Sequence, residues 1–317
     1  MRTRTLDSPP AILPLYARAA APLIPGASLL PFVPGRGGEV PELELTLADV
    51  RPDPDEVAAY ARVCGFSLRD ELPPTYPHVL AFPLQMAVMA DGSFPFGAVG
   101  LVHVENRIVQ HRPIGLDEGL KLTVRATPLE PHPRGKTFGL RTEAWSGRQK
   151  AWESTSTMLR RGKPADRAET SESQASAVSR PDEAELTPSA EWRLGGDLGR
   201  RYAAVSGDRN PIHMHSLTAR PLGFPGAIAH GMWTKARCLA ALQGRLPDAF
   251  AVEVRFRKPI RLPGRVELLS GGPAEDGEIE FAVRDAQRHV PHLNGRLRPL
   301  EAKSRMDSKT RSGRRAK

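Results

Sequence analysis

The sequence predicts an α+β fold that is built twice from one pattern, and three observations lead to this prediction. An apolar helical stretch at 79–91 is followed by a series of strand-like runs. A polar segment then divides the chain, and the same pattern returns after it. A helix that is apolar on nearly all sides needs other structure around it, so an antiparallel sheet packed on that helix is expected.

The elements of the first half, 41–162, follow in order. The run 43–47 alternates like a half-buried strand. Asp53 and Pro54 are typical of a helix start, the helix continues over 57–63, and Gly65 is placed to end it. Strand-like runs lie at 98–109, 120–126, 137–145 and 151–160. The preceding residues, 1–40, are rich in proline and are predicted to be an irregular lead-in.

Two short matches indicate that the second half, 188–300, is a duplicate of the first. The segment 60–66 (YARVCGF) aligns with 202–208 (YAAVSGD) without a gap, and 104–108 (VENRI) resembles 252–256 (VEVRF). Both matches occur in the same order with a helix between them, which favours duplication. The acid and the imidazole occur together in the second half only, because Phe66 stands opposite Asp208 and Glu71 opposite His213.

The linker and the tail are identified by composition. Residues 163–187 contain almost no large apolar side chains and are predicted to be a flexible linker. The formal net charge is +9, and most of this excess lies in 301–317, predicted to be a basic disordered tail. The rest of the chain is close to balanced, so nucleic acid is not expected as a partner.

The cysteines and the hydropathy of the sequence indicate the cellular compartment and whether a membrane span is expected. Cys64 and Cys238 are far apart and have no CxxC partner, which predicts neither a disulfide framework nor a zinc site and fits a reducing cytoplasm. The apolar region 11–34 is interrupted by Arg18 and by prolines beginning at Pro14, so no membrane span is expected.

The stretch 202–232 carries the candidate chemistry. Gly207 is expected to end a helix in the left-handed conformation, and Pro211 is expected to keep the helix from resuming, so that Asp208 and His213 lie on an irregular loop. A carboxylate and a neutral imidazole that converge on one cavity can hold a water molecule and transfer its protons. Such a pair is suited to adding water across an activated double bond, or to removing it.

Stabilisation of negative charge on a thioester carbonyl is expected at Gly231, where the second long helix begins. Its N–H would point outward with the positive end of the helix dipole behind it, and the missing side chain lets a carbonyl approach.

Each of these residues has a simpler interpretation when taken alone. Asp208 after Ser-Gly is typical of a turn or a cap. Gly231 is typical of a tight helix entry. His213, His215 and His230 suggest a metal, but no carboxylate or cysteine completes a familiar spacing, so no metal is expected. The site prediction depends on the combination.

In this combination, 206–213 (SGDRNPIH) followed by 228–232 (IAHGM) resembles the hydratase motif of the MaoC-like dehydratase family, the (R)-specific enoyl-CoA hydratases. Residues 256–264 (FRKPIRLPG) resemble the strand and turn that follow in the family. The resemblance implies a double hot-dog fold, in which each half has a long central helix wrapped by an antiparallel sheet. The first half then lacks the catalytic motif and helps to form the acyl tunnel.

The resemblance also implies roles for single residues. Asp208 and His213 are the catalytic pair, and the Gly231 N–H is the oxyanion donor. Ser206, Asn210 and His230 bind substrate or support the loop. Some relatives have a serine eight residues after the glycine, where this chain has Leu239.

The implied activity is reversible syn hydration of a trans-2-enoyl-CoA, or an acyl-carrier-protein thioester, to the (R)-3-hydroxyacyl thioester. It requires no redox cofactor and no metal. A hot-dog acyl-thioesterase and a non-catalytic acyl-thioester binding or assembly subunit are the alternatives. Which of Asp208 and His213 is the base is left open by their spacing, and so is a homodimer, since a doubled chain already supplies both hot-dog units.

Overall fold

The computed structural model describes residues 2–21, 33–35, 38–162 and 185–300. Within them, twelve strands form one sheet, and the helices pack against it. The strands are β1 (Arg2–Leu6), β2 (Leu43–Val50), β3 (Val102–Gln110), β4 (Leu120–Ala126), β5 (Glu130–His132), β6 (Gly135–Ser146), β7 (Gln149–Arg161), β8 (Thr187–Leu194), β9 (Phe250–Phe256), β10 (Gly264–Ser270), β11 (Ile279–Asp285) and β12 (Pro291–Pro299). The helices are α1 (Ile12–Ala20), α2 (Pro54–Cys64), α3 (Tyr76–Met89), α4 (Leu198–Ser206), α5 (Pro211–Met214), α6 (Ser216–Ala219) and α7 (Gly231–Ala241), with 3-10 turns at Arg220–Leu222 and Gln243–Arg245. The α+β class is confirmed.

The sheet runs through both halves of the chain. Its order is β1-β2-β4-β6-β7-β3 for the first half, continued by β9-β12-β11-β10-β8 for the second, with β5 paired to β6. Neighbouring strands are antiparallel except for β1 and β2, which are parallel. The two halves therefore join along β3 and β9.

The seam between β3 and β9 is formed by one pair of matching segments in the repeat. Glu105 lies opposite Arg255, and Arg107 lies opposite Glu253. Two ion pairs cross the seam, with Nε–O distances of 3.4 Å for Arg255–Glu105 and 2.8 Å for Arg107–Glu253. This reciprocal arrangement is what two copies of one strand produce around a two-fold axis.

The other matching segments also adopt the same local structure. Helix α2 begins at Pro54 after an Asp53 cap and ends at Gly65, where φ is +82°. Helix α4 ends at Gly207, where φ is +73°. Both glycines adopt the left-handed conformation that lets the chain leave the helix sharply. This conformation was predicted from the sequence for Gly207, and a helix end was predicted at Gly65.

Helix α3 is the wrapped helix of the first half. It spans Tyr76–Met89 instead of the predicted 79–91 and continues through Pro83. Leu84 and Val88 are fully buried in it, and the helix packs on β2, β4 and β6.

Helix α7 is the corresponding helix of the second half, and a buried lysine ties it to the seam. The Nζ of Lys235 donates to Oδ1 of Asn106 at 2.6 Å and to the carbonyl of Val252 at 3.1 Å. Because a buried ammonium requires acceptors, these contacts fix the helix to β3 and β9 together.

The prediction of an irregular lead-in at 1–40 was wrong for residues 2–6 and 12–20, which form a strand and a helix. Strand β1 adds to the edge of the sheet, and α1 packs on α3. Pro14 does not break α1 because it lies in the first turn, where a backbone N–H has no acceptor within the helix. At the other boundary, Thr187, the last residue of the predicted linker, begins β8. Linker residues 163–184 and the tail, 301–317, lie outside the described residues.

None of the helices in the described ranges is long and apolar enough to cross a membrane.

Candidate active site

The loop after α4 is held in place by its own polar side chains. The N–H of Asp208 donates to Ser206 Oγ at 3.2 Å, and the N–H of Asn210 donates to Asp208 Oδ1 at 3.1 Å. Asn210 Oδ1 in turn accepts from the N–H of Ile212 at 3.4 Å. Ser206 and Asn210 therefore shape the backbone that presents the Asp208 carboxylate.

His213 does not lie on an irregular loop, as the sequence had suggested, but on the short helix α5. The reason is that proline at the first position of a helix favours its start, and Asn210 caps that start. Pro211 therefore initiates a helix instead of preventing one. The effect is to direct the imidazole of His213 back toward Asp208.

His213 is held in one tautomer by its backbone partner. Its Nδ1 lies 2.8 Å from the carbonyl oxygen of Ile228, and a carbonyl can only accept, so Nδ1 carries the proton. In the neutral ring, Nε2 then has the free lone pair. Burial lowers the pKa of His213 despite the opposing effect of Asp208, which keeps the ring neutral at pH 7.

His230 supports both partners of this pair. Its Nε2 donates to the backbone carbonyl of Asp208 at 3.0 Å, and its ring stacks on that of His213 with centroids 3.7 Å apart. Burial, with His213 adding to its effect, lowers the pKa of His230 to about 3. Its buried Nδ1 has no hydrogen-bond partner among the described residues, as expected for a neutral ring used for packing.

The Asp208 carboxylate is ionised and only partly covered, with 30% of its side chain exposed. Burial raises the pKa of this carboxyl, but His230, His213, the Asn210 N–H and the Tyr16 hydroxyl together hold it below its ordinary value. The Tyr16 hydroxyl donates to Oδ1 at 3.0 Å. Oδ2 lies 3.8 Å from His230 Nε2.

Gly231 is the first residue of α7, so its N–H has no acceptor within the helix. The partial positive charge of the helix start lies behind it. A Cβ atom at this position would lie 3.0 Å from the ring of Phe256, so a side chain would press on that ring. The geometry is that of a donor for a carbonyl oxygen that gains negative charge.

Asp208, Asn210, His213, His230 and Gly231 line one cavity of about 200 Å³, and both halves of the chain contribute to it. Asp208, His213 and Gly231 lie on the side of the second half. The first half contributes apolar side chains from α3, β3, β6 and β7, and a smaller set of polar ones. The apolar residues are Phe82, Met89, Leu101, Val102, Val104, Leu140, Met158 and Leu159, and the polar ones are His78, Gln85, His103, Arg134, Ser156 and Arg161.

A wider groove of about 650 Å³ adjoins the cavity and is basic. The two share Phe224, Lys258 and His292 in their walls. The guanidinium of Arg161 lies over the ring of Phe224 at 6.0 Å. The other basic residues of the groove are Arg261, Arg265 and Arg288. An anionic group bound in this groove would lie outside the catalytic cavity but continuous with it.

Asp208, His213 and His230 each bring a possible metal-ligand atom within 4.8 Å of the others. Two details favour hydrogen bonding over metal binding. The Nε2 of His230 already donates to a carbonyl, and the rings of His213 and His230 are 26° from parallel, so their in-plane lone pairs do not point to a shared centre. The prediction that no metal is needed stays a prediction, and activity that resists chelators would support it.

Some residues of the site were not predicted from the sequence, because they lie far from Asp208 along the chain. Tyr16 was placed in an irregular segment, although Ile12, Leu15, Tyr16 and Ala19 follow the helical spacing that would have identified α1. His78, Gln85 and His103 carried no signal, since an isolated polar residue in an apolar segment does not reveal which cavity it faces. They are near Asp208 only because the two halves share one cavity.

Gly199 is required where α4 approaches α5, and replacing it tests how closely His213 is positioned. A Cβ atom at Gly199 would collide with the carbonyl oxygen of His213. Alanine usually stabilises a helix by about 1 kcal/mol relative to glycine. We expect Gly199→Ala instead to destabilise the protein by about 1–3 kcal/mol in denaturant unfolding and to lower kcat. Gly244→Ala, at a site with no atom within 4 Å of the added Cβ, is the control, and equal stability of the two variants would contradict the prediction.

The fold and the site together define a class of protein, the double hot-dog proteins with one Asp–His site for two scaffold copies. A family model described as MaoC like domain matches residues 179–270. The chain is 37% identical over 274 residues to 3-hydroxyacyl-thioester dehydratase X of Mycobacterium tuberculosis, a match that covers 86% of this chain and 95% of that protein. The chain belongs to the MaoC-like dehydratase family.

Solved structures agree with this assignment. The crystal structure of HtdX from Mycobacterium tuberculosis superposes with a TM-score of 0.70 at 36% identity, over 81% of this chain and 100% of that one. A second Mycobacterium tuberculosis protein, described as having a double hotdog fold, superposes with a TM-score of 0.51 at 14% identity, over 84% of this chain and 96% of that one. At this identity the second match supports the fold alone, and the predicted double hot-dog fold is confirmed.

Proposed function

We propose that this protein is a hydro-lyase of fatty-acyl metabolism, which catalyses reversible syn hydration of a trans-2-enoyl thioester to the (R)-3-hydroxyacyl thioester. The observation that carries the proposal is the convergence of the Asp208 carboxylate, the neutral His213 imidazole and the start of α7 on one cavity. The dehydratase name of the 37% identical relative supports the same reaction class.

In the proposed mechanism the thioester carbonyl accepts a hydrogen bond from the Gly231 N–H. A water molecule lies between Asp208 and His213. Its oxygen bonds to C3 as the C2–C3 double bond becomes single, and the proton that it loses is taken up by this pair and delivered to C2. Negative charge that develops on the carbonyl oxygen is stabilised by the helix start. Dehydration is the same path in reverse, with the C2 proton removed and the C3 hydroxyl leaving as water.

The two halves have different roles in this proposal. The half 188–300 is catalytic, because it holds the acid and the imidazole. The half 41–162 has Phe66 and Glu71 at the matching positions and contributes the apolar wall along which an acyl chain would lie. Since both walls come from one chain, the site is complete without a second copy, and a homodimer is compatible with it.

The basic groove favours a substrate whose thioester is attached to a carrier that bears phosphate. Coenzyme A and the phosphopantetheine arm of an acyl carrier protein both join a phosphate to the thioester through a flexible linker. In our proposal, Arg161, Lys258 and Arg261 attract that phosphate, and the thioester end enters the cavity. We propose no resident cofactor and a cytoplasmic location, the latter because Cys64 and Cys238 are unbonded.

The test is a spectrophotometric assay that follows loss of the conjugated enoyl-thioester absorbance with enoyl-CoA substrates of several chain lengths. We expect turnover by the wild-type protein and formation of the (R)-3-hydroxyacyl product on chiral analysis. Free thiol released from saturated acyl-CoA would indicate a thioesterase instead. Ligand binding by calorimetry without turnover would indicate a binding subunit.

A further inference from the structure

Helix α1 carries a hydroxyl group to the proposed catalytic carboxylate from the far end of the sequence. Tyr16 and Asp208 are separated by 192 positions, yet the hydroxyl oxygen lies 3.0 Å from Asp208 Oδ1. The same hydroxyl accepts a hydrogen bond from the N–H of Arg209 at 2.7 Å. One tyrosine therefore contacts both the side chain and the backbone of the loop that carries the carboxylate.

Tyr16 is held in this position by the packing of α1. Leu15 and Ala19 are buried, and α1 packs on α3. On the same face of α1, the Ile12 side chain lies 3.9 Å from where a Cβ atom of Gly207 would be, at the end of α4. The apolar contacts on both sides of Tyr16 explain why a helix of nine residues can place a hydroxyl accurately.

The direction of the hydrogen bond is fixed by charge. Burial, followed by the negative charge of Asp208, raises the pKa of the Tyr16 hydroxyl above its ordinary value, so the hydroxyl stays protonated. It must therefore donate to the carboxylate and accept from the Arg209 N–H. Hydrogen bonds to an ionised group are stronger than those between neutral groups.

The two oxygens of the carboxylate are consequently not equivalent. Oδ1 accepts from both Tyr16 and the Asn210 N–H. Oδ2 has no hydrogen bond within the described part of the chain, and the nearest ring nitrogen, the neutral His230 Nε2, is 3.8 Å away and donates to a carbonyl instead. Oδ2 is thus the oxygen available to a reacting water.

We infer that Tyr16 is a positioning residue, which fixes Oδ1 of Asp208 so that Oδ2 is presented to the reacting water, and that α1 is therefore part of the active site. This inference rests on the proposed function of Asp208.

Tyr16→Phe tests the inference, because it removes the hydroxyl and keeps the ring. We expect kcat to fall about 10-fold while KM changes less than twofold, since the carboxylate loses its orientation and substrate binding does not change. Removal of a donor also disfavours the charged form of Asp208. The ionisation of this carboxyl, which adds to that of His213 on the acid limb of the kcat–pH profile, should therefore move to higher pH by about one unit. The titratable groups around the carboxylate that remain in the variant are His78 on α3, His103 on β3, Tyr202 on α4, Arg209 in the loop, His213 on α5 and His230 before α7.

Thermal unfolding and a control on the same helix separate positioning from packing. Leu13→Ala changes an exposed residue of α1 and should leave kcat, the pH profile and Tm as in the wild type. The inference is wrong if Tyr16→Phe keeps the wild-type kcat, if its acid limb does not move, or if kcat falls only in step with Tm. If Asp208→Asn is inactive and Tyr16→Phe is normal, the proposed function stands and this inference fails. If Asp208→Asn is normal, the proposed function itself fails.

Discussion

Asp208→Asn is expected to lower kcat for enoyl-thioester hydration by about 10³-fold, within the range typical of a positioned acid or base. The change is isosteric, and the amide oxygen can still accept from Tyr16 and from the Asn210 N–H. The negative charge and the basic oxygen are lost. Steady-state kinetics with a purified variant of unchanged Tm measures the effect.

Glu71→Gln is the matched control for this variant. Glu71 stands opposite His213 in the repeat, is exposed, and does not line the cavity. The control should keep the wild-type kcat, because the first copy is not expected to take part in the chemistry. An Asp208→Asn variant that retained more than about one tenth of the wild-type kcat would contradict a role of this size for the carboxylate.

His213→Ala is expected to lower kcat by a similar factor, about 10³-fold, because it removes the imidazole that has a ring nitrogen within 4.8 Å of a carboxylate oxygen of Asp208. His215 provides the control. It is exposed, and its Nδ1 accepts from the N–H of Leu217 at the start of α6. His215→Asn keeps a capping acceptor and removes an imidazole, so kcat should stay at the wild-type value. Equal losses in the two variants would show that the effect of His213→Ala is structural.

The pH profile of the wild-type protein gives a second measure of His213. Burial lowers the pKa of this ring below its ordinary value of 6.5. Because the proposed mechanism uses the neutral ring, the decline of kcat on the acid side should be centred below pH 6.5. A decline centred at or above pH 6.5 would be inconsistent with this environment.

The elements that could be predicted from the sequence are those determined by local chemistry. Gly65 and Gly207 end their helices because a left-handed residue is needed there, and Asp53 begins α2 because its side chain caps the first turn. The alternation at 43–47 places one face of β2 in the core. In each case the signal and the structure it specifies lie within a few residues of each other.

The features that were mispredicted involve proline or distant contacts. Pro14 and Pro211 were both interpreted as breaking helices, whereas both lie in a first turn, where proline is tolerated or favoured. Position within a helix decides the effect of proline, and that position depends on where the helix begins. The contact of Tyr16 with Asp208 depends on the docking of α1 on α3, which no local pattern specifies.

The seam between β3 and β9 has a consequence for how such a chain can diversify. Each strand carries Glu-x-Arg, so each is complementary to its sister and equally to another copy of itself. The charges at the seam therefore favour a mixed pair, β3 with β9, no more than a matched pair, in which a strand lies beside a copy of itself. Covalent connection of the halves makes the mixed pair intramolecular and favours it by effective concentration. Once the mixed pair is favoured in this way, the two halves can differ at the matching loop positions, as Phe66 and Glu71 differ from Asp208 and His213.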